Sequence, residues 1–197
     1  MNYRTLPRGY RFAGTMDFNR NRAQIVAVLK LALALLLIPL AVGLVWHPPK
    51  PSWRGFIEGW PLWTAMIAML AAYIPLHELT HGLSMYMLSG VRPNYGLRLP
   101  YAWCGSTVWF DRKSHVITAL APLVVWGVIL QALIFLLPDR WFWPLWAVQL
   151  SNLSGSAGDI YCAWFLMRME GDLLIQDTGT RMRIMRRYAP TEPSRMD

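Results

Sequence analysis

The chain has 197 residues, of which 55% are hydrophobic and 15% are charged, and its formal net charge is +8. This balance argues against a soluble domain, because the apolar residues stand in long uninterrupted blocks and not in amphipathic patterns. The only two cysteines, Cys104 and Cys162, have no metal-finger spacing and imply no disulfide framework. We therefore expect an integral membrane protein.

Four apolar blocks are each long enough to cross a bilayer, which takes roughly 20 residues in a helix. Tryptophans near the ends of these blocks suit the level of the lipid headgroups. The blocks cover about residues 23–46, 60–88, 115–137 and 141–167. The sequence thus predicts an all-α integral membrane protein with about four transmembrane helices, forming a single membrane-embedded domain with basic tails at 1–22 and 168–197.

The connection between the second and third spans, from Gly90 to Lys113, differs from the spans in composition. Proline, asparagine and glycine interrupt short apolar runs there, as in tight turns between strands. We expect a short β-hairpin or a loop at this place. An exposed strand edge could hold an extended substrate, although the pattern favours an ordinary interfacial loop.

The basic residues are distributed as topology signals. Fifteen lysines and arginines lie in the two tails and the 90–114 connection, against three in the other two connections. The positive-inside rule places both termini and the 90–114 connection in the cytoplasm, and we expect a bacterial inner membrane. The basic residues are then expected to lie at the surface of the lipid bilayer. No nucleic-acid partner is expected, because the sequence has no nucleic-acid motif.

The second span contains the pattern H-E-x-x-H, formed by His77, Glu78 and His81. Histidines four residues apart lie on one face of a helix and can bind one zinc ion together, while the glutamate beside them can act as a general base. In a soluble helix the pattern can arise by chance on a solvated face. Inside a bilayer an uncompensated polar cluster is costly, and a bound metal is the simplest compensation.

A catalytic zinc site takes a third protein ligand, and membrane depth is the guide to it. His77 lies 17 residues past Trp60 and Asp159 lies 18 residues past Trp141, so both are about 26 Å along their helices. This match favours Asp159, and His115 stays as a weaker alternative. The further candidates, which the sequence places outside the spans, are Asp111, Glu170 and Asp172.

The stretch before Asp159 is rich in small residues, from Ser151 to Gly158, which would let another helix approach closely. Plain helix packing would produce the same composition. Asn152, seven residues before Asp159 and on the same face, is either a contact to the substrate or to a metal ligand, or an ordinary hydrogen bond across a helix interface.

Together these motifs resemble the site-2 protease group of intramembrane metalloproteases and, more closely, the compact zincin peptidases of the DUF3267 type. The matching residues are His77 to Gly82 in the second span, Ala121-Pro122-Leu123 in the third, and Asn152 with Gly155 to Asp159 in the fourth. The resemblance implies zinc ligation by His77, His81 and Asp159, proton transfer by Glu78, and hydrolysis of peptide bonds in membrane or membrane-proximal protein substrates.

Substrate selection is then expected to rest on the spans, the 90–114 connection, an accessory membrane protein or a homo-oligomer. The alternative is a non-catalytic membrane protein with a zincin-like fold and a regulatory or immunity role. Such a protein would bind metal through the same ligands but would not cleave a substrate. Glu78 separates the two readings, because a site that only binds metal needs no carboxylate between its histidines.

Overall fold

The computed structural model describes residues 2–16, 21–47, 59–98, 101–179 and 181–188. In chain order its helices are α1 (Arg22–Trp46), α2 (Trp60–Ser89), α3 (Arg112–Leu136), α4 (Phe142–Gly155) and α5 (Ala157–Arg168). Its strands are β1 (Tyr10–Met16), β2 (Asn94–Arg98), β3 (Tyr101–Gly105), β4 (Phe110–Asp111), β5 (Leu173–Asp177) and β6 (Met182–Arg187).

Helices α1, α2 and α3 are long and apolar enough to cross a membrane, as judged by length and composition. Their bounds agree with the first three predicted spans within a few residues. Local signals explain the bounds: Asn21 accepts hydrogen bonds from the first amides of α1, and Asp111 accepts one from Ser114 at the start of α3. Gly90 ends α2 in the left-handed conformation, at φ 66°.

The fourth predicted span, 141–167, is wrong as a continuous helix. The segment forms two helices of 14 and 12 residues, α4 and α5, which meet at Ser156. Glycine and serine have weak helix propensity, and the helix is interrupted at Gly155-Ser156. The sequence analysis assigned these small residues to close helix packing only. Helix α4 packs against α1, α2 and α3, so much of its surface is covered by the long helices.

The prediction of an all-α protein is also wrong, because the strands form two sheets. Strands β2 and β3 pair as a hairpin between the second and third spans, which is one of the two alternatives expected there. The other four form an antiparallel sheet in the order β1-β6-β5-β4. The predicted basic tail from residue 168 therefore supplies two strands, β5 and β6, up to Arg187. Residues after 188 lie outside the described part of the chain.

The four-stranded sheet packs on α5 through a buried apolar cluster. Leu166 of α5, Ile175 of β5 and Ile184 of β6 are among its least exposed members. Because β1, β4, β5 and β6 come from distant parts of the chain, the sheet brings the N-terminal, middle and C-terminal segments to one end of the helices. Assignment of that end to the cytoplasm stays a prediction.

Candidate metal centre

The two histidines of α2 face each other across one helical turn. His77 and His81 lie four residues apart, and their Nε2 atoms are 3.1 Å apart. Each histidine side chain is only 12% exposed. The spacing therefore gives the paired imidazoles that the sequence pattern predicts.

Asp159 joins them from the first turn of α5. Its Oδ2 lies 3.4 Å from Nε2 of His77 and 3.6 Å from Nε2 of His81. The break at Ser156 places this carboxylate at the N-terminal end of a helix, where free backbone amides favour a negative charge. All three predicted ligands are thus brought together, with one donor atom from each within 4.8 Å of the others.

A proline in α3 orients His81. Pro122 has no backbone N–H, so the carbonyl of Thr118, four residues earlier, loses its normal helical partner. The Nδ1 atom of His81 lies 2.9 Å from that carbonyl oxygen. Since a carbonyl only accepts, Nδ1 carries the proton and donates it, and Nε2 presents its lone pair to the centre.

A second chain of hydrogen bonds orients His77. The amide of Asn152 donates to the carbonyl of Leu123 at 3.2 Å, which leaves Oδ1 of Asn152 to accept from the hydroxyl of Tyr73 at 2.7 Å. The Tyr73 oxygen then accepts from Nδ1 of His77 at 2.9 Å. As at His81, the proton lies on Nδ1 and the Nε2 lone pair points to the centre.

Asn152 therefore lies behind Tyr73 and His77 and does not face the cavity. It is 0% exposed and is not among the residues that line the cavity. The sequence interpretation left both roles open, and it missed Tyr73 altogether. The available signal was spacing, because Tyr73 precedes His77 by four residues and so shares its helix face.

The donor set fits a zinc ion. Ligand bonds of 2.0–2.1 Å in a tetrahedral site separate neighbouring donor atoms by about 3.3 Å, and the three separations here are 3.1, 3.4 and 3.6 Å. With both histidine protons on Nδ1, two nitrogen lone pairs and a carboxylate oxygen converge without a proton between them. Such an arrangement is repulsive until a cation binds.

Glu78 lies beside this centre, in a cavity of about 430 Å³. The same cavity is lined by His77, His81 and Asp159. Ala102, Trp103 and Cys104 of β3 line the same cavity, so the β2–β3 hairpin forms part of its wall. A carboxylate that lines a cavity beside the clustered imidazoles can exchange a proton with a molecule bound there.

The other candidate ligands lie elsewhere. Asp111 caps the N-terminus of α3, and Glu170 and Asp172 are exposed beyond the end of α5. His115 lies in the same cavity but faces Asp177, with 4.0 Å between its Nε2 and Oδ2 of Asp177. None of the four belongs to the three-residue cluster.

Comparison with known proteins gives one family. A family model, DUF3267, described as "Putative zincin peptidase", matches residues 70–174. The matched region runs from before the H-E-x-x-H turn in α2 to the second residue of β5, and so includes all three clustered side chains and Glu78. Neither a search of curated proteins nor a search of solved structures gives a match.

Proposed function

This chain belongs to the DUF3267 family, and on that premise we propose that it is a zinc-dependent endopeptidase that hydrolyses peptide bonds of membrane or membrane-proximal proteins. The observation that carries the proposal is the convergence of Nε2 of His77, Nε2 of His81 and Oδ2 of Asp159. Glu78 lines the same cavity as these three atoms. Two imidazoles, one carboxylate and a neighbouring glutamate are the groups that metal-assisted hydrolysis requires.

Each residue has a separate task in this chemistry. Zinc, when bound, supplies the Lewis acidity that polarises the scissile carbonyl and acidifies the attacking water. Glu78 accepts a proton from that water and returns it to the leaving amine nitrogen. His77 and His81 are held in the Nδ1-protonated form by Tyr73 and by the Thr118 carbonyl, so that both Nε2 atoms remain available as ligands.

The surface of the helices supports a membrane setting. Large apolar side chains of α1 such as Leu29, Ile38 and Val45 are 62%, 66% and 84% exposed. Lipid is the natural neighbour for three long helices with such faces. We place the enzyme in a bacterial inner membrane with both termini in the cytoplasm, with an accessory membrane protein or a second copy as a further partner.

Substitution of Glu78 by glutamine tests the proposal. The change keeps the shape of the side chain and removes its basicity, so we expect zinc content to be retained and cleavage to fall by at least about 100-fold. Glu170→Gln is the matched control, because Glu170 is exposed and lies outside the cavity. Cleavage is followed with quenched fluorescent peptides and with single-span membrane proteins in proteoliposomes.

Two results would count against the enzyme. Equal cleavage by wild-type and Glu78→Gln protein would remove Glu78 from the reaction. Zinc-loaded wild-type protein that cleaves none of these substrates would favour the second reading of the sequence, a metal-binding membrane protein without turnover.

A further inference from the structure

The cavity contains a carboxylate that the reaction does not use. Asp177 ends β5, and its Oδ1 accepts a hydrogen bond of 2.8 Å from the amide of Gly179 in the turn to β6. This turn bond fixes the carboxylate and directs Oδ2 towards His115, 4.0 Å away. The turn therefore accounts for the hydrogen bond of Oδ1, whereas Oδ2 takes no part in the turn.

Asp177 contacts His115, which belongs to a layer of side chains about one helical turn from the metal ligands. On α3, His115 precedes Thr118 by three residues, and on α5, Cys162 follows Asp159 by the same number. The sulfur of Cys162 is 3.8 Å from Nε2 of His115. Two helices therefore carry a second layer of side chains next to the metal layer, displaced by about 5 Å along each helix. That displacement is roughly the length of one amino-acid side chain.

The charge of Asp177 is poorly compensated. Within the described part of the chain no lysine or arginine lies within ion-pairing distance of its carboxylate, and the nearest titratable side chain is His115, 4.0 Å from Oδ2. Burial raises the pKa of Asp177 to about 6, as expected for a carboxylate that has been taken from water without a close cation. Arg181 also lines the cavity, but it does not reach ion-pairing distance of Asp177.

The walls around this carboxylate are closely packed. A side chain on Gly105 would collide with the backbone of Thr178, and one on Gly179 would collide with the ring of Trp103. The β2–β3 hairpin and the β5–β6 turn therefore meet in direct contact at this end of the cavity. Met16 and Met182 add apolar surface to this cavity, which His115 and Arg181 also line beside Asp177.

We propose that Asp177 forms an anionic subsite that binds a cationic group of the substrate, about one residue away from the bond that is cleaved. The ligand chemistry is an ammonium or guanidinium ion, supplied either by a lysine or arginine side chain or by the free amino terminus of a peptide. The inference rests on the proposed peptidase function and names a preference of the same site. A cation bound there would pair with Oδ2 of Asp177, which has no close cationic partner in the described part of the chain.

Small hydroxamates test the subsite without the need for cleavage. Four probes are compared on the zinc-loaded protein: lysine hydroxamate, norleucine hydroxamate and the Nα-acetyl form of each. The hydroxamate group binds the metal, and lysine differs from norleucine only in its terminal ammonium group. We expect the acetyl-lysine probe to bind at least about tenfold more tightly than acetyl-norleucine if the side chain is the ligand. If the amino terminus is the ligand, norleucine hydroxamate with a free amino group should bind more tightly than its acetyl form by the same factor.

Variants then assign the preference to Asp177. In Asp177→Asn, which keeps an oxygen for the Gly179 amide, the preference should disappear while binding of acetyl-norleucine hydroxamate stays within about twofold. Asp139→Asn is the matched control, because Asp139 is exposed in the connection between α3 and α4. If Asp177→Asn fails to fold, Asp177→Ser provides a second variant, and the wild-type comparison of probes stands without either.

The results separate this inference from the proposed function. Equal binding of cationic and neutral probes by the wild-type protein, or a preference that survives in Asp177→Asn, overturns the subsite and leaves the peptidase intact. Wild-type protein that takes up no zinc and binds none of the probes overturns both.

Discussion

Replacement of Pro122 by alanine should weaken zinc binding while it stabilises the zinc-free protein. The proline frees the Thr118 carbonyl, and that carbonyl accepts the proton of His81 Nδ1 at 2.9 Å. Alanine restores a backbone N–H four residues after Thr118, so the helix competes with His81 for the same oxygen.

The two effects have opposite signs and measurable sizes. Loss of a hydrogen bond that orients a metal-ligating histidine typically lowers metal affinity about 10- to 100-fold, which corresponds to about 1.4–2.7 kcal/mol. A proline in a helix interior costs about 3 kcal/mol, so its removal should raise the unfolding temperature of the zinc-free protein. A general loss of structure would lower both quantities together.

Chelator competition gives the zinc affinity, and thermal unfolding in detergent gives the stability. Pro39→Ala is the control, since Pro39 lies inside α1 and away from the metal centre. It should raise stability in the same way and leave zinc affinity unchanged. Unchanged zinc affinity in Pro122→Ala, with the expected gain in stability, would refute the link between the proline and His81.

Three further predictions concern other parts of the molecule. Tyr73→Phe removes the acceptor for Nδ1 of His77 and should lower zinc affinity about tenfold by chelator competition, whereas Tyr86→Phe, on an exposed position of the same helix, should not. Burial raises the pKa of the Cys104 thiol to about 12, so at pH 8 it stays protonated and should react with iodoacetamide only after unfolding; rapid labelling of the native protein would contradict this. Leu166→Ala, at a fully buried position between α5 and the sheet, should cost about 2–5 kcal/mol in denaturant unfolding, and a loss below 1 kcal/mol would show looser packing there.

Much of the fold follows from local sequence properties. Long apolar blocks define α1, α2 and α3, and the turn residues after Gly90 define the β2–β3 hairpin. The break between α4 and α5 was missed because Gly155 and Ser156 were interpreted as a packing surface, although the same residues end helices. The four-stranded sheet was missed because its strands pair across the whole chain, and such pairing leaves no local signal.

In the candidate site, too, local spacing predicts some residues, whereas the roles of others depend on contacts between helices. The H-E-x-x-H spacing predicts the two imidazoles, and membrane depth pointed to Asp159 even though the helix that carries it is interrupted. The side chains and carbonyls that orient the histidines could not be assigned in advance, because Tyr73, Thr118 and Asn152 acquire their tasks only through contacts between helices.

Zinc-edge X-ray absorption on the purified protein tests the three-ligand centre most directly. We expect close to one zinc per chain, with two imidazole nitrogens and a carboxylate oxygen among its neighbours. One imidazole should be missing in His81→Ala, and the Asp159→Ala protein should lose most of its zinc. Wild-type protein without zinc, or identical spectra and zinc content in all three proteins, would contradict a metal centre built from His77, His81 and Asp159.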